Sequence, residues 1–344
     1  MLYTVFSMPK PRISVLMAVH NSMEFLKGAV ESILNQNYTD FEFIIIDDGS
    51  SDGSGEWLEA KAKEDQRIHL VRQANIGLTK SLNRGLALAR GEFIARMDSD
   101  DVCLSNRLET QLAFLRRNFD VVACGSNVEM IDSDGDLIGV YHVPQTHEDI
   151  EAHFWSGGLA ALVHPSAMIR RDALVKISGY NERFPKCQDY DLWFRLAEIG
   201  RLVNLPQVLI QWRQHASSIS YRAPDEQFRI AQEVYYNAAR RRGLDVDKLP
   251  AIGKVSREKP WDCHVEWANS ALHSQNFYTA KKHAKIALQW LPRNSPAYHD
   301  MSAIHNGFAI LKCRLRRETG GLYWFFVKIY RRIMSFSCNR TSSL

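Results

Sequence analysis

The sequence predicts an α/β protein: a mostly parallel sheet flanked by helices, with an α-helical C-terminal region. Two observations carry this. Four short, almost wholly apolar runs (residues 13–19, 41–46, 68–71 and 93–97) alternate with segments of helical spacing. That alternation is the pattern of right-handed βαβ crossovers. From Asp225 onward the pattern is helical throughout.

Taken in order, the run 13–19 (ISVLMAV) is apolar without alternation, as a strand covered on both faces must be. His20-Asn21-Ser22 breaks it, and Phe25, Val30, Ile33 and Leu34 then recur at helical spacing. The second strand, FEFIII, stops in Asp47-Asp48-Gly49-Ser50-Ser51-Asp52-Gly53, and a helix through Trp57 and Leu58 comes next. After the third strand, residues 78–90 place Leu82, Leu86 and Ala89 on one helical face, and Gly91 stops that helix. The fourth strand, 93–97, ends in Asp98-Ser99-Asp100-Asp101. Beyond Arg107 the rhythm changes to a helix over 108–118, strands over 121–124 and 128–131, and a hairpin return over 137–141. Residues 144–166 read as irregular, 167–170 as a short strand, 189–199 as a helix and 202–212 as a strand pair or extended segment.

Composition fits a globular chain. Of 344 residues, 45% are hydrophobic and 24% charged, which argues against disordered, collagen-like and disulfide-scaffold classes. The six cysteines show no CxxC spacing, so neither a zinc site nor a disulfide framework is expected, and reduced thiols in a cytoplasmic protein are the default. No secretory signal is expected at the start, and no apolar run reaches the ~20 residues that span a bilayer. The formal charge of +4 is unevenly spread: residues 307–344 carry eight Lys or Arg and one Glu, leaving the rest slightly acidic. A nucleic-acid binder needs its positive charge on the folded body, so no nucleic-acid partner is expected.

Ligands of open parallel sheets bind beyond the carboxyl ends of the strands. Here two acidic clusters, Asp47-Asp48 and Asp98–Asp101, leave strands that should lie near each other. Clustered carboxylates repel unless a cation offsets them. Hard divalent cations prefer oxygen ligands, and Mg²⁺ commonly shares its shell with phosphates. Each cluster alone also suits a turn or a helix N-cap; the pair, each directly after a buried strand, favours a site for a metal and a nucleoside diphosphate.

The stretches ISVLMAVHN, SILNQNYTDFEFIIIDDGSSDGS, NIGLTKSLNRGLALARGEFIARMDSDD, HPSAMIRRD and QDYDLWFRL, in this order, resemble family 2 glycosyltransferases, inverting sugar-nucleotide enzymes of GT-A fold. The resemblance covers the first two-thirds of the chain. It implies a catalytic domain over 1–222, before a helical region (223–306) and a basic tail (307–344). It further implies that Ala18 and His20 line the nucleotide pocket, with His20 where the family commonly has Tyr. Asp47 would accept from the base imide, and Asn75, Gly77 and Asn83 would cover the nucleotide. Asp98-Ser99-Asp100 resembles the DxD motif, with Asp98 toward the ribose and Asp100 on a Mn²⁺ or Mg²⁺ ion that His215 completes. Asp189, in Gln188-Asp189-Tyr190-Asp191, matches the general base, with Asp191 as runner-up and a plain N-cap as the alternative. A helix start holds a carboxylate ionised and weakens it as a base, so an apolar wall such as Trp193 or Tyr190 would be needed to raise it.

His164 and Trp155 would lie on the acceptor side and Arg213 on the diphosphate, though each is equally a packing or capping residue. The donor would be a nucleoside-diphosphate sugar, with UDP favoured, and the acceptor a glycan or lipid-linked hydroxyl. Residues 267–292 resemble one tetratricopeptide-type helix pair or a plain helical hairpin. The aromatic, basic tail suits either an anionic membrane surface or packing on the body. A non-catalytic sugar-nucleotide-binding scaffold is the alternative from another class. A nucleotidyltransferase would need a Gly-rich, Lys-bearing loop after strand one, where this chain has His20-Asn21-Ser22-Met23.

Overall fold

The computed structural model describes residues 10–218, 224–252 and 262–307. Of these, residues 10–135, 140–218 and 224–252 belong to one compact unit, and 136–139 and 262–307 to a second. The basic tail predicted over 307–344 falls outside the described residues after Gly307.

In the first unit, β1 (Ile13–Val19) pairs in parallel with both β2 (Phe41–Asp48) and β4 (Phe93–Met97), and β3 (Ile68–Gln73) joins β2 in parallel. Every residue of β1 and β2 is buried, because helices cover both faces. Leu16, Ala18, Ile44 and Ile46 share a core with Leu82 and Leu86 of α3 (Leu78–Leu88). Val15, Met17, Phe43 and Ile45, one residue out of phase, share another with Leu26, Val30 and Ile33 of α1 (Met23–Leu34). The period-2 pleat thus divides a continuous apolar run between two cores. The second crossover helix is α2 (Ser54–Glu64).

The remainder of the sheet is mixed. A two-residue β5 (Val102–Cys103) precedes α4 (Arg107–Leu115), then β6 (Val121–Ile131) and β7 (Leu137–Tyr141), which pairs with β6. β8 (Met168–Arg170) is antiparallel to β4 and β6, and β9 (Arg201–Arg213) is parallel to β6. The strand order is β3-β2-β1-β4-β8-β6-β9-β5.

Two expectations are corrected, and one left open is decided. The two strands expected over 121–131 are one, bulged against β9 at Ser126 and Asn127. The polar Gly125-Ser126-Asn127 that suggests a break is satisfied in place: the Asn127 amide donates to the Pro206 carbonyl and accepts from the Val143 N–H. The "irregular" 144–166 contains α5 (His147–Trp155), whose Thr146 hydroxyl caps the Asp149 amide. Residues 202–212 are a single strand.

After α6 (Arg171–Lys176) and α7 (Gln188–Ala197), α8 (Pro224–Arg241) buries Ala231, Val234, Tyr235 and Ala238 in the core that holds Trp193 and Phe194 of α7. The first unit therefore continues past the boundary expected at residue 222. In the second unit, α9 (Asp262–His273), α10 (Phe277–Leu288) and α11 (Pro296–His305) bury small residues at Ala268, Ala271, Ala280, Ala284 and Ala287, beside Trp267, Met301 and Ile304. No helix of the described residues is long and apolar enough to cross a membrane.

Candidate active site

Parallel strands deliver the expected loops to one end of the sheet. The turn after β2 is built by its own carboxylates. Asp48 is buried and accepts from the Ile76 and Gly77 amides at 2.8 and 2.9 Å and from the Gln73 side chain at 2.8 Å. Burial alone would raise its pKa, but these donors together outweigh it and the net shift is downward. Gly49, at φ +75°, lies against Asn75: a Cβ there would stand 2.7 Å from the Asn75 nitrogen. His20 Nδ1 is 2.9 Å from the Asp48 carbonyl, and the exposed Asn75 amide is 3.2 Å from the same ring. His20, Asn75 and Gly77 thus gather at one rim, with Gly77 as the N-cap of α3, while Ala18 belongs to the core that holds Leu82 and Leu86.

Two residues expected at the nucleotide are committed elsewhere. Asp47 is 1% exposed, and its carboxylate accepts from Arg72 Nε at 3.0 Å and the Ser50 amide at 3.1 Å. It closes the loop rather than facing a base. Asn83, on α3, is hydrogen-bonded to the backbone of Tyr180.

β4 carries Arg96, fully buried in an otherwise apolar strand, and its guanidinium pairs with Asp98 at 2.6 Å. Asp98, Asp100 and Asp101 bring one carboxylate oxygen each within 4.8 Å of one another. Asp101 is 1% exposed; one of its oxygens accepts from the Arg213 amide at 2.7 Å, while the other is buried without a hydrogen-bond partner. Burial first, then the charges of Asp100 and Asp98, push its pKa well up. Burial likewise raises Asp98, against the opposing pull of Arg96. His215 Nε2 lies 2.9 Å from Asp100 Oδ2, its ring packed on Phe25 at 4.9 Å. An orphaned buried carboxylate oxygen amid like charges, with an imidazole at the edge, is a donor set that fits a hard divalent cation.

Asp189 stands at the second position of α7, after Cys187, which caps the helix with φ +55°. It is half-buried, and one oxygen accepts from the Tyr190 amide at 2.9 Å. Burial raises its pKa and outweighs the backbone donors that pull it down. The apolar surroundings therefore offset the helix start, as a base requires. The charge of Asp189 also acts to raise Asp98, so the start of α7 faces the acidic cluster closely enough for the two carboxylates to oppose each other.

Four further residues have partners of their own. Asp191 is buried and paired to Arg195 at 2.6 Å, which withdraws it as a base. The Arg213 guanidinium donates to the carbonyls of Asp100, Asp132 and Ser133 and so fixes the acidic loop after β4 instead of reaching a diphosphate. The Trp155 ring packs on Phe194 and Tyr235 at 4.9 and 5.6 Å, inside an aromatic cluster. His164 is buried, with Nε2 2.9 Å from the Tyr180 hydroxyl and its ring edge-on to Trp193. Burial, reinforced by Arg96, pushes its pKa well down, so this imidazole is neutral.

Sequence reasoning passes over Arg96 and leaves Asp101 without a role. Arg96 has a visible signal: a lone cation inside the apolar run FIARM, directly before an acidic cluster.

Residues 14–178 match the family model described as Glycosyl transferase family 2. An uncharacterized glycosyltransferase of Haemophilus influenzae is 30% identical over 282 residues, covering 77% of this chain and 84% of that protein. The O-antigen biosynthesis glycosyltransferase WbnJ of Escherichia coli is 34% identical over 210 residues, covering 60% of this chain and 81% of its own. Among solved structures, residues 1–349 of S. aureus TarS in complex with UDP-GlcNAc superpose with a TM-score of 0.56 at 15% identity, covering 90% of this chain and 92% of that one. The fold is that of GT-A enzymes, and the chain belongs to glycosyltransferase family 2. It is a glycosyltransferase.

Proposed function

We propose that this glycosyltransferase moves a sugar, with inversion, from a UDP-sugar to a hydroxyl of a glycan or lipid-linked acceptor in cell-surface polysaccharide synthesis. The observation that carries this reading is the pairing of two acidic features: a cation-seeking cluster after β4 and a half-buried, raised-pKa carboxylate at the start of α7. UDP is favoured because the similar TarS structure holds UDP-GlcNAc, and a polysaccharide acceptor because WbnJ is an O-antigen enzyme.

Asp98, Asp100, Asp101 and His215 would hold a Mn²⁺ or Mg²⁺ ion. When bound, the ion supplies Lewis-acid stabilisation of charge on the departing diphosphate. The chain's own residues do the rest. His20, Asn75 and Gly77 form the rim against which the nucleotide rests, and Arg96 opposes protonation of Asp98 and holds it at the cluster. Asp189 accepts the proton from the acceptor hydroxyl as that oxygen attacks the anomeric carbon, on the face opposite the bond to the leaving oxygen. The bond from carbon to diphosphate breaks as the bond to the acceptor forms, which inverts the centre.

Incubation of the full chain with Mn²⁺ and UDP-GlcNAc, UDP-glucose, UDP-galactose or GDP-mannose, with assay of free nucleoside diphosphate, tests the reading. Release from a UDP-sugar that EDTA abolishes and Asp189→Asn reduces by ~100-fold or more supports it. Undiminished release in Asp189→Asn overturns the base, and metal-independent release overturns the cation site.

A further inference from the structure

One helix touches both halves of the proposed reaction. At its N-terminal end, α3 is held to the donor rim through Asp48, which binds the Ile76 and Gly77 amides just before it begins. Further along, two side chains of the same helix grip the segment that leads to Asp189. The Thr79 hydroxyl, 3% exposed, donates to the Phe184 carbonyl at 2.9 Å. Asn83 makes three bonds: its amide donates to the Tyr180 carbonyl at 2.9 Å and to Glu182 at 3.0 Å, and its oxygen accepts from the Tyr180 N–H at 2.9 Å. The fit is close. Gly179 adopts φ +66° beside it, and a Cβ there would stand 2.8 Å from Asn83 Oδ1. Tyr180 in turn reaches His164, which packs on Trp193 of α7.

We propose that Thr79 and Asn83 are positioning residues, which tie the donor rim to the base through α3 and so fix the placement of Asp189 relative to bound donor. This rests on the reading of Asp189 as base. It replaces the nucleotide contact expected of Asn83, whose polar atoms are turned to 180–182. The two roles differ in what they change. A nucleotide contact acts on donor binding, whereas a strut acts on the geometry of attack, where a shift near 1 Å costs ~100-fold in rate.

The experiment uses the full chain with Mn²⁺ and whichever of UDP-GlcNAc, UDP-glucose, UDP-galactose or GDP-mannose it turns over fastest. Nucleoside diphosphate release is measured in Asn83→Ala, Thr79→Val and Asp189→Asn, with thermal unfolding alongside. Expected is a fall in kcat of ~10-fold or more in Asn83→Ala and a smaller one in Thr79→Val, with donor KM within about twofold of the parent. Asn83→Asp sets a carboxylate against Glu182 and should fall further; adding Glu182→Gln restores a donor there and should recover part of kcat. A raised KM with unchanged kcat overturns the proposal in favour of a nucleotide contact, and unchanged kcat and KM overturn it outright. Thr79→Val, nearly isosteric, decides the matter should Asn83→Ala not fold. Loss in Asp189→Asn without loss in the α3 variants rejects the strut and leaves the base standing. Loss in the α3 variants with full activity in Asp189→Asn rejects the base and, with it, the strut's target.

Discussion

Replacing Arg96 with Met should cost far more stability than replacing its partner, and should make replacement of that partner clearly stabilising. Arg96 is 1% exposed and pairs with Asp98 at 2.6 Å, while Asp100 and Asp101 crowd the same point. Charges ~4 Å apart at an effective dielectric of 20 attract by about 4 kcal/mol. Asp98 keeps one side toward solvent, which trims this, and loss of one partner of a buried pair typically costs ~3–5 kcal/mol. We expect a cost of ~3 kcal/mol for Arg96→Met, at the lower end of that range, with the Met side chain filling most of the volume. Asp98→Asn should change the stability of the parent little, because burial already raises this carboxyl against the pull of Arg96, and Asp101 and Asp189 still lie near the guanidinium. In the Arg96→Met background, however, Asp98→Asn should stabilise, since it removes one of several uncompensated like charges. Mn²⁺ should restore Arg96→Met more than it stabilises the parent, as it supplies the missing cation. Urea unfolding at neutral pH, with EDTA and then with Mn²⁺, measures all four. An Arg96→Met cost below ~0.5 kcal/mol would refute the reasoning on the scale set for exposed pairs. So would Asp98→Asn destabilising both backgrounds alike.

Three further outcomes are expected. Because burial raises Asp189, its ionised, active form should appear only above the ordinary carboxylate range, so kcat should rise with pH through a value above ~4; a pH–rate profile that is flat down to that range would contradict this. His215→Ala removes the nitrogen 2.9 Å from Asp100 Oδ2 and should weaken activation by Mn²⁺ about tenfold or more, read as a shift in the metal titration with donor saturating. Gly179→Ala places a side chain at φ +66° against Asn83 and should lower stability by ~1–2 kcal/mol in thermal or urea unfolding, whereas the same change at the open Gly28 should not.

The first half of the fold is legible in the sequence because one force dominates it. A strand covered on both faces must be apolar throughout, so ISVLMAV and FEFIII stand out, and the polar and acidic turns at their carboxyl ends mark the site. The second half is harder, because polar side chains there build structure instead of ending it. Asn127 satisfies a carbonyl of β9, and Asn204 on β9 satisfies the Pro144 and Ala161 carbonyls of the adjoining loops, so polar residues stand where the strands run on. α5 buries only Ile150 and Phe154, too narrow a stripe to stand out, although Thr146 and Asp149 mark its start.

The same limit explains which site residues the sequence reveals. Residue type and spacing locate carboxylates but do not say what each one faces. Asp47 and Asp191 look like Asp100 and Asp189 in sequence, yet Arg72 and Arg195 occupy them. Asp101 looks like a surplus acid, and it holds a buried oxygen without a hydrogen-bond partner against the charges of Asp98 and Asp100, where Asp191 has Arg195. An acid that has found its arginine is finished structurally, and its charge serves the fold. An acid raised by burial beyond what nearby cations offset costs the fold stability at neutral pH: its stabilising protonated form is lost as pH rises through the raised value. Asp98, Asp101 and Asp189 are all of that second kind, two around one buried Arg96 that they must share and one at the start of α7. Three such costs gathered around Arg96 and the start of α7 suit the proposed reaction, in which a metal-bound diphosphate would bring a charge and an acceptor hydroxyl a proton from outside.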